Sequence, residues 1–185
     1  MEHFYKEVDS EGWFDYQDLY TKMVKEFPND SHFVEVGSWK GMSACYMAVE
    51  IINSNKNIKF DCVDTWKYYD WFTDISESAF EGVYDVFLKN IEPVKNTINI
   101  VRELSWDAPL KYDDNSLDFI FIDASHDYES VKKDIISWLP KLKENGVIAG
   151  HDYNHRPVSN AVNEIFGIKN IIPTGTCWTY KNINT

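Results

Sequence analysis

Short apolar runs of strand length recur along the chain, separated by longer stretches with helical periodicity, and several of them end on a carboxylate. His32–Val36 reads as a buried first strand, followed by the turn Gly37-Ser38-Trp39-Lys40-Gly41. Residues 58–63 give a second strand ending at Asp64, and residues 98–101 a short third. Leu117–Ile122 is the clearest strand and is closed by Asp123; residues 147–149 form the fifth, leading into Gly150-His151-Asp152-Tyr153. Residues 171–172 and 178–181 supply the last two. Strands that alternate with helices point to an α/β fold built from parallel β-α-β units.

The helical stretches agree with this. Trp13, Phe14, Tyr16, Leu19, Tyr20 and Met23 suit an amphipathic helix over residues 12–27, broken by Pro28-Asn29-Asp30. A second helix spans residues 43–52, with Ala44, Ala48, Ile51 and Ile52 on one face, and a third runs through Val83, Val86, Phe87 and Ile91. Residues 128–143 form the clearest helix, with Val131, Ile135, Trp138, Leu139 and Leu142 in one stripe. Pro140 should kink it, and Asn145-Gly146 supplies a left-handed stop. Another helix is expected over residues 158–166.

No repeat, linker or low-complexity tract interrupts the pattern, so residues 1–185 are read as a single domain. The net charge of −12 makes nucleic acid and anionic membrane poor partners, because phosphates demand clustered Lys and Arg. No apolar stretch approaches the length of a membrane span, and the acidic opening MEHFYKEVDS is unlike a signal peptide. Cys45, Cys62 and Cys177 are odd in number, widely spaced and set in apolar surroundings. They read as buried thiols, in keeping with a cytoplasmic location.

Four segments carry chemistry. In Val34-Glu35-Val36-Gly37-Ser38-Trp39-Lys40-Gly41-Met42-Ser43, a strand gives way to a helix at the carboxyl edge of the sheet, the usual ligand crevice of open α/β folds. Gly37 and Gly41 let the backbone turn and approach a ligand. Their spacing is not Gly-x-Gly-x-x-Gly, and the acid Glu35 precedes them. Both features favour a cationic ligand with an amino group over a pyrophosphate. Asp64 stands where a carboxylate can accept both ribose hydroxyls. Asp123 with His126, and His151 with Asp152, then bring two acids and two titratable imidazoles to one edge.

Taken in order, Val-Glu-Val-Gly-x-x-x-Gly-x-Ser, Val63-Asp64-Thr65-Trp66, the run from Phe121 to Tyr128 and Gly150-His151-Asp152-Tyr153 resemble the class I S-adenosylmethionine-dependent methyltransferases. The branch they are most similar to holds the sugar and macrolide O-methyltransferases and the cephalosporin-hydroxylase-like proteins. The resemblance implies a Rossmann-like, seven-stranded, mostly parallel sheet with the last strand antiparallel and helices on both faces. It implies that Glu35, Gly37, Ser38, Trp39 and Gly41 hold the methionine end of S-adenosylmethionine. Asp64 would hold the ribose, Ser105 and Trp106 would border the adenine, and Asp123 would line the same site. Relatives show a small Gly-Asp-Ser turn where this chain has Arg102-Glu103-Leu104-Ser105.

Related enzymes also bind a divalent cation with an acid after the fourth strand and an acidic or amide pair after the fifth. Asp123 and Asp152 match two of those positions for Mg2+ or another divalent ion, while Tyr153 replaces the third ligand. Asn154 or a histidine would have to substitute. The expected reaction is methyl transfer to a small-molecule hydroxyl, with His126 or His151 as base and Asp123 orienting it or holding a metal. The cluster from Trp66 to Phe72, with Trp13 and Phe14, is either a lid over the acceptor or filling for the core or a homodimer interface. A nicotinamide-dependent oxidoreductase and a non-catalytic partner subunit are the rival readings.

Overall fold

The computed structural model describes residues 1–70 and 76–183. Seven strands form one sheet in the order β3-β2-β1-β4-β5-β7-β6. They are β1 (His32–Val36), β2 (Lys59–Asp64), β3 (Ile98–Arg102), β4 (Leu117–Ile122), β5 (Leu142–Gly150), β6 (Ile172–Thr174) and β7 (Cys177–Lys181). The first five pair in parallel, and β7 runs antiparallel to both β5 and β6. The expected α/β architecture is therefore the one observed. The strand order reverses between β1 and β4, which opens a crevice at their carboxyl ends.

Among the described residues five α-helices cover the sheet: α1 (Gln17–Glu26), α2 (Met42–Ser54), α3 (Val83–Ile91), α4 (Tyr128–Trp138) and α5 (Arg156–Phe166). Strand side chains alternate between two cores. Phe33, Cys62, Phe119 and Phe121 face a core shared with α1, α2 and α3. Val34, Val36, Ile120, Ile122 and Ile148 face one shared with α4 and α5. Cys45, Cys62 and Cys177 are buried free thiols, as expected. No helix among the described residues is long and apolar enough to cross a membrane.

Five expectations need correction. The first helix begins at Gln17, not at residue 12, because residues 9–16 are drawn across the sheet edge by contacts to distant elements. Helix α4 ends at Trp138, and Pro140 lies in a separate 3₁₀ turn, Leu139–Lys141, instead of kinking a longer helix. Leu142 belongs to β5, where it pairs with Leu117. Asn145 is left-handed at φ +64°, yet it serves an irregularity inside β5, donating its N–H to the Asn182 carbonyl at 2.7 Å. Finally, Ile52 is 38% exposed and stands outside the buried face that Ala44, Ala48 and Ile51 share.

Candidate active site

A cleft of about 760 Å³ opens at the carboxyl edge of the sheet, within the range of small-molecule sites. Its floor is the β1–α2 turn. Gly37 adopts φ +93°, and a Cβ there would lie 2.0 Å from the Asp123 carbonyl oxygen. Only glycine lets this turn lie against the end of β4. At Gly41, φ is +82° and a Cβ would meet the Phe87 ring at 2.9 Å, so this residue brings the start of α2 down onto α3.

The two amides exposed by the turn are already engaged. Ser38 and Trp39 donate their backbone N–H groups to Asp64 Oδ2 at 3.1 and 2.9 Å, and Trp66 donates its own to Oδ1 at 2.8 Å. Burial pushes the Asp64 carboxyl up, and the backbone donors of Trp66, Trp39, Ser38 and Thr65 oppose that. Such a nest of amides is what a nucleotide pyrophosphate needs, and here a side chain of the protein fills it. Asp64 does line the cleft, but its main hydrogen-bonding commitment is to the turn.

Glu35 differs from its expected placement. It is fully buried beneath the turn and does not line the cleft. Tyr20 donates its hydroxyl to Oε2 at 2.7 Å, while Oε1 has no hydrogen-bond partner. Desolvation raises its pKa to about 7, although the Tyr20 hydroxyl favours the charged form. The Ser38 hydroxyl, 2% exposed and at the cleft wall, is likewise unpartnered. At the far end, Ser105 and Trp106 border the cleft, and the Ser105 carbonyl accepts the Trp138 indole N–H at 2.8 Å.

Asp123, His126, His151 and Asp152 come together at the ends of β4 and β5. His126 Nε2 lies 3.5 Å from Asp123 Oδ1 and 3.2 Å from Asp152 Oδ2. His151 Nδ1 lies 3.1 Å from Asp152 Oδ2 and 3.7 Å from Asp123 Oδ1. Its other nitrogen, Nε2, meets Asp15 Oδ1 at 2.9 Å. Burial alone would disfavour the His151 imidazolium, but Asp152, Asp123 and Asp15 outweigh it and hold the ring up at about 9. Both ring nitrogens of His151 are thus engaged by carboxylates. Tyr153 turns away and donates its hydroxyl to Asn163 at 2.7 Å, whereas Asn154 stays at the cleft wall.

The residues that sequence reasoning missed lie on the segment before α1. Asp15 accepts from Thr176 Oγ1 at 2.8 Å as well as meeting His151, and Tyr16 donates its hydroxyl to Asp123 Oδ2 at 3.1 Å. Glu11 accepts from the Trp39 indole and pairs with Lys40. Asn90 receives the Asp9 N–H at 3.3 Å and donates to the Asp9 carbonyl at 3.1 Å. Gly12, at φ +77°, was the one local sign that this stretch is not helical. The aromatic residues divide. Trp66 is core, packed on Tyr84 and Phe87, and Phe14 is buried with Tyr16 and Tyr20. Trp13 is 59% exposed at the cleft and stacks on Trp39. Trp71 and Phe72 lie outside the described residues.

Known proteins bear on this geometry in three ways. The O-methyltransferase NovP superposes with a TM-score of 0.71 at 14% identity, over 91% of this chain and 79% of its own. The calicheamicin methyltransferase CalS11 gives 0.63 at 13% identity over 89% and 76%. A putative rRNA methylase from Clostridium thermocellum gives 0.61 at 12% identity over 91% and 98%. At such identities the likeness is one of fold. The uncharacterized protein y4gI of Sinorhizobium fredii (strain NBRC 101917 / NGR234) is 26% identical over 121 residues, 64% of this chain. That stretch is 13% of the relative's length, so this chain corresponds to a small part of it. The methyltransferase-domain family profile matches residues 34–153, which hold the glycine turn, Asp64 and the whole acid–histidine centre. The chain belongs to the methyltransferase-domain family.

Proposed function

We propose that this protein transfers the methyl group of S-adenosylmethionine to a hydroxyl of a small-molecule acceptor. The observation that carries the reading is that the Gly37–Gly41 turn and the Asp123–His126 centre share one cleft. The cofactor supplies an electrophilic methyl on a sulfonium, and the protein must place a nucleophile in line and take its proton. Ser38, Trp39 and Gly41, with Glu35 behind them, are assigned to the methionine end. The unpartnered Ser38 hydroxyl at the cleft wall suits an ammonium group, which is donor-only. Asp64 keeps spare acceptor capacity for ribose hydroxyls, since each carboxylate oxygen has two lone pairs. Ser105 and Trp106 are assigned to the adenine.

Deprotonation of the acceptor falls to Asp123 and His126. His151, held at both nitrogens by Asp152 and Asp15, keeps these groups in place. Asp123 and Asp152 are also the residues that would hold a divalent cation, whose chemistry there is to acidify the acceptor hydroxyl. An RNA acceptor, suggested by the rRNA methylase neighbour, is disfavoured by the charge of −12 and by Asp123, Asp127 and Asp152 in the cleft wall. A nicotinamide dinucleotide is disfavoured because Asp64 fills the amide nest.

Thermal unfolding with S-adenosylhomocysteine, NAD or buffer tests the reading. S-adenosylhomocysteine at about 100 times its dissociation constant should stabilise by about 2.7 kcal/mol, a shift of several degrees, and NAD by nothing. A shift with NAD and none with S-adenosylhomocysteine would overturn it.

A further inference from the structure

Trp13 keeps a large apolar side chain in water at the mouth of the cleft. It is 59% exposed, and among the exposed large apolar side chains of the described residues it is the one that lines the cleft. Trp39 backs it, with ring centroids 6.3 Å apart and planes 24° from parallel. An indole supported from behind and uncovered at a small-molecule cleft is a surface on which another ring can lie.

The support is held rigidly. Trp39 adopts φ +46°, a region costly for a bulky residue. Its N–H donates to Asp64, its carbonyl accepts the Trp66 indole N–H at 2.7 Å, and its own indole donates to Glu11 Oε2 at 2.9 Å. Phe80 packs edge-on against the ring at 5.0 Å. A strained residue fixed by this many contacts at a cleft points to function. Trp13 is anchored along the chain on both sides. Glu11, two residues before it, pairs with Lys40 at 2.5 Å, and Asp15, two residues after it, meets His151 at 2.9 Å. The segment thus joins the glycine turn to the acid–histidine centre, and Trp13 lies on it between the two anchors. This segment precedes the stretch matched by the family profile.

Charge narrows what such a ring can carry. Among the described residues Lys40 is the sole Lys or Arg of the cleft wall, and Glu11 neutralises it. The carboxylates of Asp64, Glu103, Asp123, Asp127 and Asp152 line the same wall. A phosphate or diphosphate needs unspent cationic donors, and this wall supplies none from Lys or Arg. We propose that Trp13, backed by Trp39, is the stacking platform that selects an acceptor whose hydroxyl is carried on an uncharged ring, and that acceptors linked to phosphate are excluded. The inference rests on the methyl-transfer reading of the cleft and names its acceptor class. An indole stacks on an aromatic ring and on the C–H face of a pyranose alike, so the uncharged ring is the chemistry that the two sources share.

The test is saturation-transfer NMR on the full chain with phenol, methyl β-D-glucopyranoside, phenyl phosphate and glucose-1-phosphate, each with and without S-adenosylhomocysteine. One of the uncharged rings should bind, and roughly tenfold or more tightly than its phosphorylated counterpart. Which of the two binds identifies the ring as aromatic or pyranose. Trp13→Ala should weaken that binding roughly tenfold, and Trp13→Phe, which keeps a smaller aromatic face, should recover part of the loss. The phenylalanine variant also gives the answer if Trp13→Ala fails to fold. Ring binding that is absent, unchanged in both Trp13 variants, or as strong for the phosphorylated probes would overturn the proposal. So would a dimer that light scattering shows to dissociate in Trp13→Ala, since the indole would then belong to an interface. S-adenosylhomocysteine binding without Trp13-dependent ring binding defeats the platform alone. Ring binding without S-adenosylhomocysteine binding defeats the methyl-transfer reading and leaves the platform in place.

Discussion

At the scale of the residue, Glu35 shows how a carboxylate buried beneath a candidate site is costly to the fold. It sits in the middle of β1, where alternation turns it toward the same core as Phe33. Its folded pKa of about 7 stands above the ordinary 4.5, so between those values the folded state holds more protons than the unfolded state. Stability should therefore fall as pH rises from about 4.5 to about 7, and the deficit should stay constant above that. Asp134, fully buried on α4 with both oxygens unpartnered, is also raised by desolvation, from 3.8 to about 7, and acts in the same direction over that slightly wider window. Glu35→Gln should flatten the decline by on the order of 3 kcal/mol between pH 5 and pH 8, read from urea unfolding at each pH. Equal pH dependence in the variant and wild type would mean that Glu35 ionises as freely in the fold as in water. Position and residue type were legible from the sequence, but burial beneath the turn was not, because a carboxylate next to a glycine turn looks the same whether it faces the ligand or the core.

The element that the sequence described least well is β5. Its pairing with β4 shifts between Leu117 and Phe119, so the strand carries an irregularity that lets Leu142 and Val147 both reach the sheet. Asn145 at φ +64° is the residue that permits it, since asparagine tolerates the left-handed region and a β-branched side chain does not. Asn145→Gly should change stability by a few tenths of a kcal/mol at most, and Asn145→Val should cost about 1–2 kcal/mol, measured by denaturant unfolding. If valine proves harmless there, the irregularity is not what keeps the register. The Asn-Gly pair was a correct sign of a left-handed residue. The apolar stripe continues past Trp138, and Leu142 fits both a helical and a strand pattern, so the linear pattern places this pair at a helix end.

For the whole molecule, charge and cleft together decide the class of partner. Thirty acidic residues stand against 18 basic ones, and Asp64, Glu103, Asp123, Asp127 and Asp152 all line the cleft. A polyanion approaching this edge meets repulsion that salt can screen but not reverse. Neither an RNA hairpin nor total ribosomal RNA should bind in a filter or gel-shift assay, even at low salt. Retention that weakens steeply with added salt would instead reveal a phosphate-binding face and restore the RNA reading suggested by the fold.

What the sequence by itself determined is local or periodic. Apolar runs placed the strands, alternation made them parallel, and a glycine turn with carboxylates at strand ends marked the edge where the cleft opens. Those features depend on a residue and its near neighbours, so a linear reading recovers them. Only the tertiary structure decided that Asp64 fills the turn's amides, that Glu35 lies under the cleft, and that Asp15 and Tyr16 reach His151 and Asp123. Each of these joins residues distant in the chain, up to the 136 positions between Asp15 and His151. No local propensity encodes such a contact. It exists because the sheet order brings the ends of β4 and β5 beneath the segment that enters α1.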